Sequence, residues 1–211
     1  MKNYLVKTPA FIPKIYRKRL WHFDRKEKVI YLTFDDGPTP VVTDFTLDVL
    51  KEFNAKATFF CIGKNIENNP GLFQKIQMDG HAIGNHTYNH LNGWKTPNST
   101  YFEDISKTDT YLDQNSKLFR PPYGKMTNAQ AHFLQNKMGY TIVMWDVLSA
   151  DFDLSINNED CLKNVMNHSK NGSIIVFHDS EKAAQKIRYV LPKILKHYTD
   201  LGFQFKKIPQ N

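Results

Sequence analysis

The sequence predicts a single α/β domain in which parallel strands alternate with helices. Apolar, β-branched runs recur along the chain with helix-like stretches between them, which is typical of βα units. No linker rich in Pro, Gly or Ser interrupts the alternation, so one domain is expected. The length agrees, because 211 residues suffice for one domain with a sizeable core.

The strands are predicted from short runs such as VIYLTF, ATFFC and SIIVF, and the helices from apolar residues at helical spacing. Seven strands are expected, over residues 29–34, 56–61, 81–85, 117–120, 140–146, 173–177 and 203–207. Six helices are expected, over residues 41–53, 66–79, 99–115, 127–138, 159–170 and 183–199. Periodicity leaves open whether the strands form an open sheet or a closed barrel.

Polar and charged residues are concentrated after five of the predicted strands. In a doubly wound sheet or a barrel, the carboxyl ends of parallel strands lie on one rim, where functional groups gather. One rim would therefore receive side chains from five separate segments. These residues are Asp35 and Asp36, His86 and His90, Arg120, Asp146 and Asp151, and His178 and Asp179.

Basic residues are concentrated at the amino terminus. Nine of the 28 Lys and Arg residues lie in residues 1–28, against two acidic residues, and the rest of the chain carries 19 of each sign. We expect residues 1–28 to form a basic segment that packs on a domain over 29–208. The segment is either a solvated surface strap or a weak contact with an anionic membrane surface. No nucleic-acid-binding motif accompanies it, so a nucleic-acid partner is not expected.

Neither a signal peptide nor a transmembrane segment is predicted. The apolar run AFIP near the amino terminus is shorter than the roughly 7–15 residues of a signal sequence, and no run approaches the ~18 residues of a spanning helix. A cytoplasmic location is therefore expected. Cys61 and Cys161 are expected to be buried free thiols, because two cysteines cannot form a disulfide framework.

The stretch HTYNH places His86 and His90 four residues apart. On a helical turn such residues share a face, with Cβ atoms about 5–6 Å apart, which suits two ligands of one ion. A carboxylate from another strand end would complete a set that leaves positions open for water and substrate, as in a catalytic site. Two polar histidines on a surface turn are the alternative.

The adjacent Asp35 and Asp36 could have different roles at such a site. One would bind the metal while its neighbour takes a proton from the attacking water as general base. The alternative is an Asx-type turn before Gly37 and Pro38, although a turn needs only one aspartate.

A second proton carrier is needed to protonate a leaving amine, and His178 titrates in the useful range. Asp151 could hold its imidazole and raise its pKa, while Arg120 could pair with Asp35 and keep it ionised. The alternatives are a buried structural histidine and an ordinary salt bridge.

Five motifs in order resemble those of the polysaccharide deacetylase family, also called the NodB-homology family or carbohydrate esterase family four. They are TFDDGP at 33–38, HTYNH at 86–90, RPPYG at 120–124, WDVLSADF at 145–152 and IIVFH at 174–178. The resemblance extends from about Val29 to Phe205. It implies a distorted (β/α)7 barrel, in agreement with the seven predicted strands.

The resemblance also implies a divalent metal, zinc foremost with cobalt or nickel as alternatives. Its ligands would be Asp36, His86 and His90. Asp35 would be the general base, oriented by Arg120. His178 would be the general acid, tuned by Asp151. The backbone N–H of Tyr123 would help to hold the oxyanion.

The chain departs from the family pattern in two motifs. Leu148 and Phe152 stand where the fourth motif has Asp and Trp, and Phe177 precedes His178 where the fifth motif has Leu. These positions are expected to wall the pocket for the acetyl methyl group. Four aromatic residues near the motifs are either sugar-stacking or ordinary core and rim residues: Tyr88, Trp94, Tyr123 and Trp145.

The resemblance predicts a metal-dependent hydrolase that removes N-acetyl groups from N-acetylglucosamine units of a chitin-like glycan or peptidoglycan. An O-deacetylase of acetylated xylan is the alternative with the same chemistry, and a carbohydrate-binding pseudoenzyme is the alternative of another class. A two-metal phosphoesterase is disfavoured, because the sequence supplies one clear set of ligands. Substrates of the family usually lie outside the cytoplasm, which conflicts with the expected location.

Overall fold

The computed structural model describes residues 4–114 and 116–210. Its centre is a parallel sheet that curves into a half-barrel. The strands are β1 (Val29–Asp36), β2 (Thr58–Cys61), β3 (Ala82–Asn85), β4 (Leu118–Phe119), β5 (Thr141–Ile142), β6 (Val147–Leu148), β7 (Ile174–His178) and β8 (Gln204–Phe205). They lie in the order β5-β4-β3-β2-β1-β7-β6, and β8 pairs with the amino end of β1. The predicted single α/β domain is confirmed.

The helices bury apolar faces against this sheet. They are α1 (Phe11–Ile15), α2 (Val42–Glu52), α3 (Gly63–Asn68), α4 (Pro70–Met78), α5 (Asn98–Asp109), α6 (Asn128–Asn136), α7 (Asn158–Met166) and α8 (Ala184–Asp200). In α8, fully buried apolar residues recur three and four positions apart, which forms one stripe along the helix. They are Ile187, Val190, Leu191, Ile194 and Leu195.

One predicted helix is divided in the structure, and one predicted strand is shortened. The helix expected over 66–79 becomes α3 and α4, because Pro70 lacks a backbone N–H and is accommodated in the first turn of a new helix. The strand expected over 140–146 is confirmed only at β5, and β6 lies just beyond it at residues 147–148. Between β5 and β6, Leu20 forms a bridge to Val143, donating to Ile142 O at 2.8 Å and accepting from Met144 N at 2.7 Å.

The helix expected over 99–115 ends earlier, as α5, and residue 115 lies outside the described residues. Within the described part of the chain, no helix is both long enough and apolar enough to cross a bilayer. Cys61 and Cys161 are buried and free, as predicted.

Residues 4–28 lie against the half-barrel beside β5, β6 and β7. Isolated bridges join Lys7 to Val147, Leu20 to Val143 and His22 to Ser173. The sequence did not predict α1, which lies in this segment. The boundary between a segment at 1–28 and a domain at 29–208 stays a prediction, and residues 1–3 lie outside the described residues.

Candidate active site

The carboxyl ends of the central strands open into a cleft of about 440 Å³, which we call the strand-end cleft. Side chains from β1, β7 and the loop after β3 line it, as expected for the rim of a parallel sheet. Its titratable lining residues include Asp35, Asp36, His86, His90 and His178. Three separate parts of the sequence supply the metal ligands and proton carriers implied by the resemblance, and all of these residues line the cleft.

The two aspartates are the last residues of β1 rather than the residues after it. Asp35 is buried and lies opposite His178 in the β1–β7 register. Asp36 has a φ of 84°, which a non-glycine residue rarely adopts. Its carbonyl oxygen accepts a hydrogen bond from Asn65 Nδ2 at 2.7 Å, which helps to hold this conformation. The turn therefore gives the two neighbouring carboxylates different surroundings.

The Asp36 carboxylate lies beside both histidines. Asp36 Oδ1 is 3.3 Å from His90 Nε2 and 3.8 Å from His86 Nε2. One ligand atom from each residue lies within 4.8 Å of the others. Among the described residues, Asp36 Oδ1 is buried without a hydrogen-bond partner. A buried orphan oxygen facing two imidazole nitrogens fits a divalent cation.

The histidine rings are oriented by their other nitrogens. His86 Nδ1 lies 2.7 Å from the carbonyl oxygen of Arg120, so Nδ1 carries the proton and Nε2 offers its lone pair to an ion. His90 Nδ1 lies 3.1 Å from the hydroxyl of Tyr123. Burial lowers the pKa of His86 well below its usual value, and burial also lowers the pKa of His90 against the opposing charge of Asp36. Both rings are therefore held neutral, as metal ligation requires.

The prediction of a helical turn for HTYNH is wrong. Residues 86–90 form a loop, in which Thr87 and His90 have φ values of 62° and 57°. The rings of His86 and His90 still lie close, with centroids 5.1 Å apart. A loop with two left-handed residues thus brings together side chains that we expected a helix to align.

Arg120 is fully buried and is paired with Asp35. Its Nη1 lies 2.6 Å from Asp35 Oδ1 and 2.7 Å from Thr33 Oγ1, while Nη2 and Nε donate to backbone carbonyls of Met144 and Val143. Burial raises the pKa of Asp35, and the Arg120 guanidinium opposes that rise. The pairing predicted from sequence is present, and it favours the ionised form that a general base needs.

Asp151 holds His178. Asp151 Oδ1 lies 2.8 Å from His178 Nδ1, which leaves Nε2 as the ring nitrogen available to a substrate. Burial disfavours the charged imidazolium, but the carboxylates of Asp151, Asp36 and Asp35 outweigh it and raise the pKa of His178 to about 9. His178 is therefore cationic at neutral pH and able to donate a proton.

Asp146 lies apart from the cleft and anchors the amino-terminal segment. Its Oδ1 is 2.7 Å from Lys7 Nζ, and its Oδ2 is 2.9 Å from Arg25 Nη2 and 2.7 Å from Ser173 Oγ. The structure thus places Asp151, and not Asp146, beside His178.

The cleft walls include Tyr123, Trp145, Leu148 and Phe152. Phe152 packs edge-on against His178, with ring centroids 5.1 Å apart. Tyr88 and Trp94 are not among the described residues that line the cleft.

The expected position of Phe177 in the pocket wall is wrong. Phe177 is fully buried and stacks on Phe34 in the core, while Val176 and His178 line the cleft. The reason is that successive side chains of a strand point to opposite faces.

Asp179, for which the sequence predicted no role, supports from behind the end of β1 that carries Asp35 and Asp36. Asp179 is fully buried and accepts from Gly37 N at 3.0 Å and from Thr43 Oγ1 at 2.6 Å. Burial raises the pKa of Asp179 to about 7. Its position next to His178 in the sequence was the signal that could have identified Asp179 as part of the site. Tyr4 and Lys182 also line the cleft, and no motif identified them.

Comparison with known proteins assigns the fold and the family. The family model described as "Polysaccharide deacetylase" matches residues 22–143. A crystal structure of a peptidoglycan N-acetylglucosamine deacetylase in complex with 4-naphthalen-1-yl-N-oxidanyl-benzamide superposes with a TM-score of 0.87 and 32% identity, covering 96% of this chain and 95% of that chain. The implied distorted (β/α)7 barrel is therefore confirmed.

Two curated relatives match this chain over most of their own length. A peptidoglycan-N-acetylglucosamine deacetylase of Bacillus cereus is 32% identical over 194 residues, which are 90% of this chain and 91% of that protein. A chitooligosaccharide deacetylase of Azorhizobium caulinodans is 32% identical over 205 residues, covering 88% and 95%. This chain therefore belongs to the polysaccharide deacetylase family of hydrolases.

Proposed function

We propose that this protein removes N-acetyl groups from N-acetylglucosamine units of peptidoglycan or of a chitin-like oligosaccharide. One observation carries the proposal: Asp35 and His178 lie opposite each other on adjacent strands, each paired with its own partner, Arg120 and Asp151, beside the Asp36 carboxylate. The names of the similar proteins support the same substrate class.

Asp36, His86 and His90 would hold a divalent cation, zinc foremost with cobalt or nickel as alternatives. When bound, such an ion supplies a Lewis acid that polarises the amide carbonyl and makes the attacking water more acidic.

Proton transfer would be performed by the two proton carriers on adjacent strands. Asp35, kept ionised by Arg120, takes a proton from water as it attacks the acetamide carbon. Tyr123, through its backbone N–H, would donate to the developing oxyanion. His178, held by Asp151 at Nδ1, donates its Nε2 proton to the leaving nitrogen, so that acetate and a free amine are released.

The alternatives have less support. A pseudoenzyme that only binds carbohydrate needs neither the base nor the acid, and both are present with their partners. Xylan O-deacetylation would use the same groups, but the relatives named above are deacetylases of peptidoglycan and chitooligosaccharide.

The test is acetate release from N-acetylchitooligosaccharides, peptidoglycan fragments and acetylated xylooligosaccharides. The protein is stripped with a chelator and then reloaded with zinc, cobalt or nickel. We expect metal-restored release from one of the first two substrates. Release from xylooligosaccharides alone would overturn the substrate assignment, and full release after stripping would overturn the metal requirement.

A weak membrane contact through the basic segment is a further proposal. Lys14, Arg17 and Lys18 are exposed and lie next to the exposed apolar residues Phe11 and Ile15. Basic and apolar groups together favour an anionic lipid surface. Sedimentation with phosphatidylglycerol vesicles should carry down the protein at low salt, and absence from the pellet would refute this contact. The cytoplasmic location expected from sequence stays a prediction.

A further inference from the structure

A second groove, of about 420 Å³, adjoins the strand-end cleft. We call it the N-terminal groove, because Leu5, Thr8, Pro9 and Ile12 form one of its walls. Five residues line both the groove and the cleft, so the two are continuous. The shared residues are Tyr4, Tyr123, Gly124, Trp145 and Leu148.

The N-terminal wall is held in place by backbone pairing. Val6 O accepts from Leu148 N at 2.8 Å, and Thr8 N donates to Asp146 O at 3.0 Å. The Thr8 hydroxyl also donates to Trp145 O at 2.8 Å. The wall is thus tied to the same stretch of chain that forms part of the cleft, and the groove is preformed.

Tyr4 joins the groove to the proton donor. Its hydroxyl donates to Asp153 Oδ2 at 2.5 Å, and its ring packs edge-on against Phe152 with centroids 5.4 Å apart. Phe152 in turn packs against His178. Two successive ring contacts, Tyr4 to Phe152 and Phe152 to His178, therefore connect the N-terminal groove to the proposed proton donor.

The residues that line the N-terminal groove favour one class of ligand. Among the described residues that line the groove, none carries a charged side chain, while Tyr4, Trp21, Tyr123 and Trp145 supply aromatic surface. Aromatic rings with a few hydroxyls suit the apolar face of a neutral sugar, and the volume lies in the range of small-ligand sites, about 300–1,000 Å³.

We propose that the N-terminal groove binds the neutral N-acetylhexosamine unit next to the one that is deacetylated. This inference rests on the proposed function and extends it from a single acetamido sugar to a glycan chain. The wall at residues 4–12 lies outside residues 22–143, which the family model matches. The groove would give this protein a preference for longer substrates that the family motifs alone do not encode.

The test compares chain lengths with a matched pair of variants on metal-loaded protein. Leu5 and Phe11 are both exposed apolar residues of the segment, at 59% and 61%, and only Leu5 lines the groove. Leu5→Asp places a charge in the neutral groove. We expect the ratio of kcat/KM for N-acetylchitotetraose to that for the monosaccharide N-acetylglucosamine, which has no neighbouring unit, to fall by about fivefold in Leu5→Asp. Phe11→Asp should keep the wild-type ratio.

Leu5→Ala should lower the ratio in the same direction by a smaller factor, which guards against misfolding of the charged variant. An unchanged ratio in both Leu5 variants, with wild-type circular dichroism, would overturn the inference. If the wild type releases no acetate from these sugars or from peptidoglycan fragments, the proposed function fails instead. Calorimetric titration with the tetrasaccharide then tests the groove alone. Weaker binding by Leu5→Asp than by Phe11→Asp supports the groove, and equal binding refutes it.

Discussion

The carboxylate of Asp151 contacts His178 at two points. Its Oδ1 lies 2.8 Å from the ring Nδ1, and its Oδ2 accepts the backbone N–H of the same residue at 2.7 Å. The ring contact fixes the tautomer and the charge, while the backbone contact fixes the end of β7. A single buried side chain therefore sets both the position and the acidity of the proposed proton donor.

Asp151→Asn should lower the pKa of His178. In the wild type that pKa is raised from 6.5 to about 9, so the proton is held below pH 9 and lost as the pH rises through it. The associated stability is fully present below pH 6.5 and disappears as the pH rises through 9. NMR titration of the metal-free proteins measures the shift. The alkaline limb of the rate profile should move to lower pH in Asp151→Asn, and coincident titrations would contradict the tuning role.

Asp35→Asn and His178→Ala should each lower turnover by roughly 10²–10⁴, because each removes one proton carrier. Neither residue belongs to the three-ligand cluster, so metal content should stay at the wild-type level. Acetate release and elemental analysis of the same samples check both statements. Wild-type turnover in either variant would remove that residue from the mechanism.

Asp36→Asn should lose metal, because a neutral amide replaces the only carboxylate in the three-ligand cluster of described residues. Asp48→Asn is the control, since Asp48 lies on the exposed side of α2. Elemental analysis after dialysis should find metal in the control and little in Asp36→Asn. Equal metal in the two proteins would refute the ligand assignment.

Arg120→Met should destabilise the fold by about 3–5 kcal/mol, because it leaves the buried Asp35 carboxylate without its partner. Adding Asp35→Asn should recover part of the loss by removing that charge. Urea unfolding of the wild type, both single variants and the double variant forms the cycle. Additive losses in the cycle would show that the pair is not coupled.

Gly37→Ala should destabilise the protein by about 1–3 kcal/mol through overpacking. A Cβ at Gly37 would lie 2.0 Å from Asp179 Oδ2, whereas one at Gly71 would meet nothing within 4 Å. Gly71→Ala, in α4, is therefore the control and should be neutral or stabilising by up to about 1 kcal/mol. Thermal unfolding compares the two variants. Equal melting temperatures would show that the turn at Gly37 can move to accommodate a Cβ atom without loss of stability.

Much of the secondary structure was predictable because it depends on patterns of residues close together in the sequence. Apolar periodicity located all six predicted helices, although one proved to be two, and it located the central strands. It failed beyond Ile142, where the chain pairs with Leu20 and then forms β6 at residues 147–148. That pairing joins residues far apart in sequence, and no local pattern encodes it. The split at Pro70, by contrast, had a local signal, since proline disfavours a helix interior.

The sequence by itself determined the family and the set of candidate ligands and proton carriers, because these depend on residue type and motif order. Only the tertiary structure decided which groups meet. It separated Asp151 from Asp146, replaced Phe177 by Val176 in the cleft, and brought Tyr4 to its rim. The physical reason is that strand facing and long-range backbone pairing are collective properties of the packed chain, whereas a motif records only its own residues.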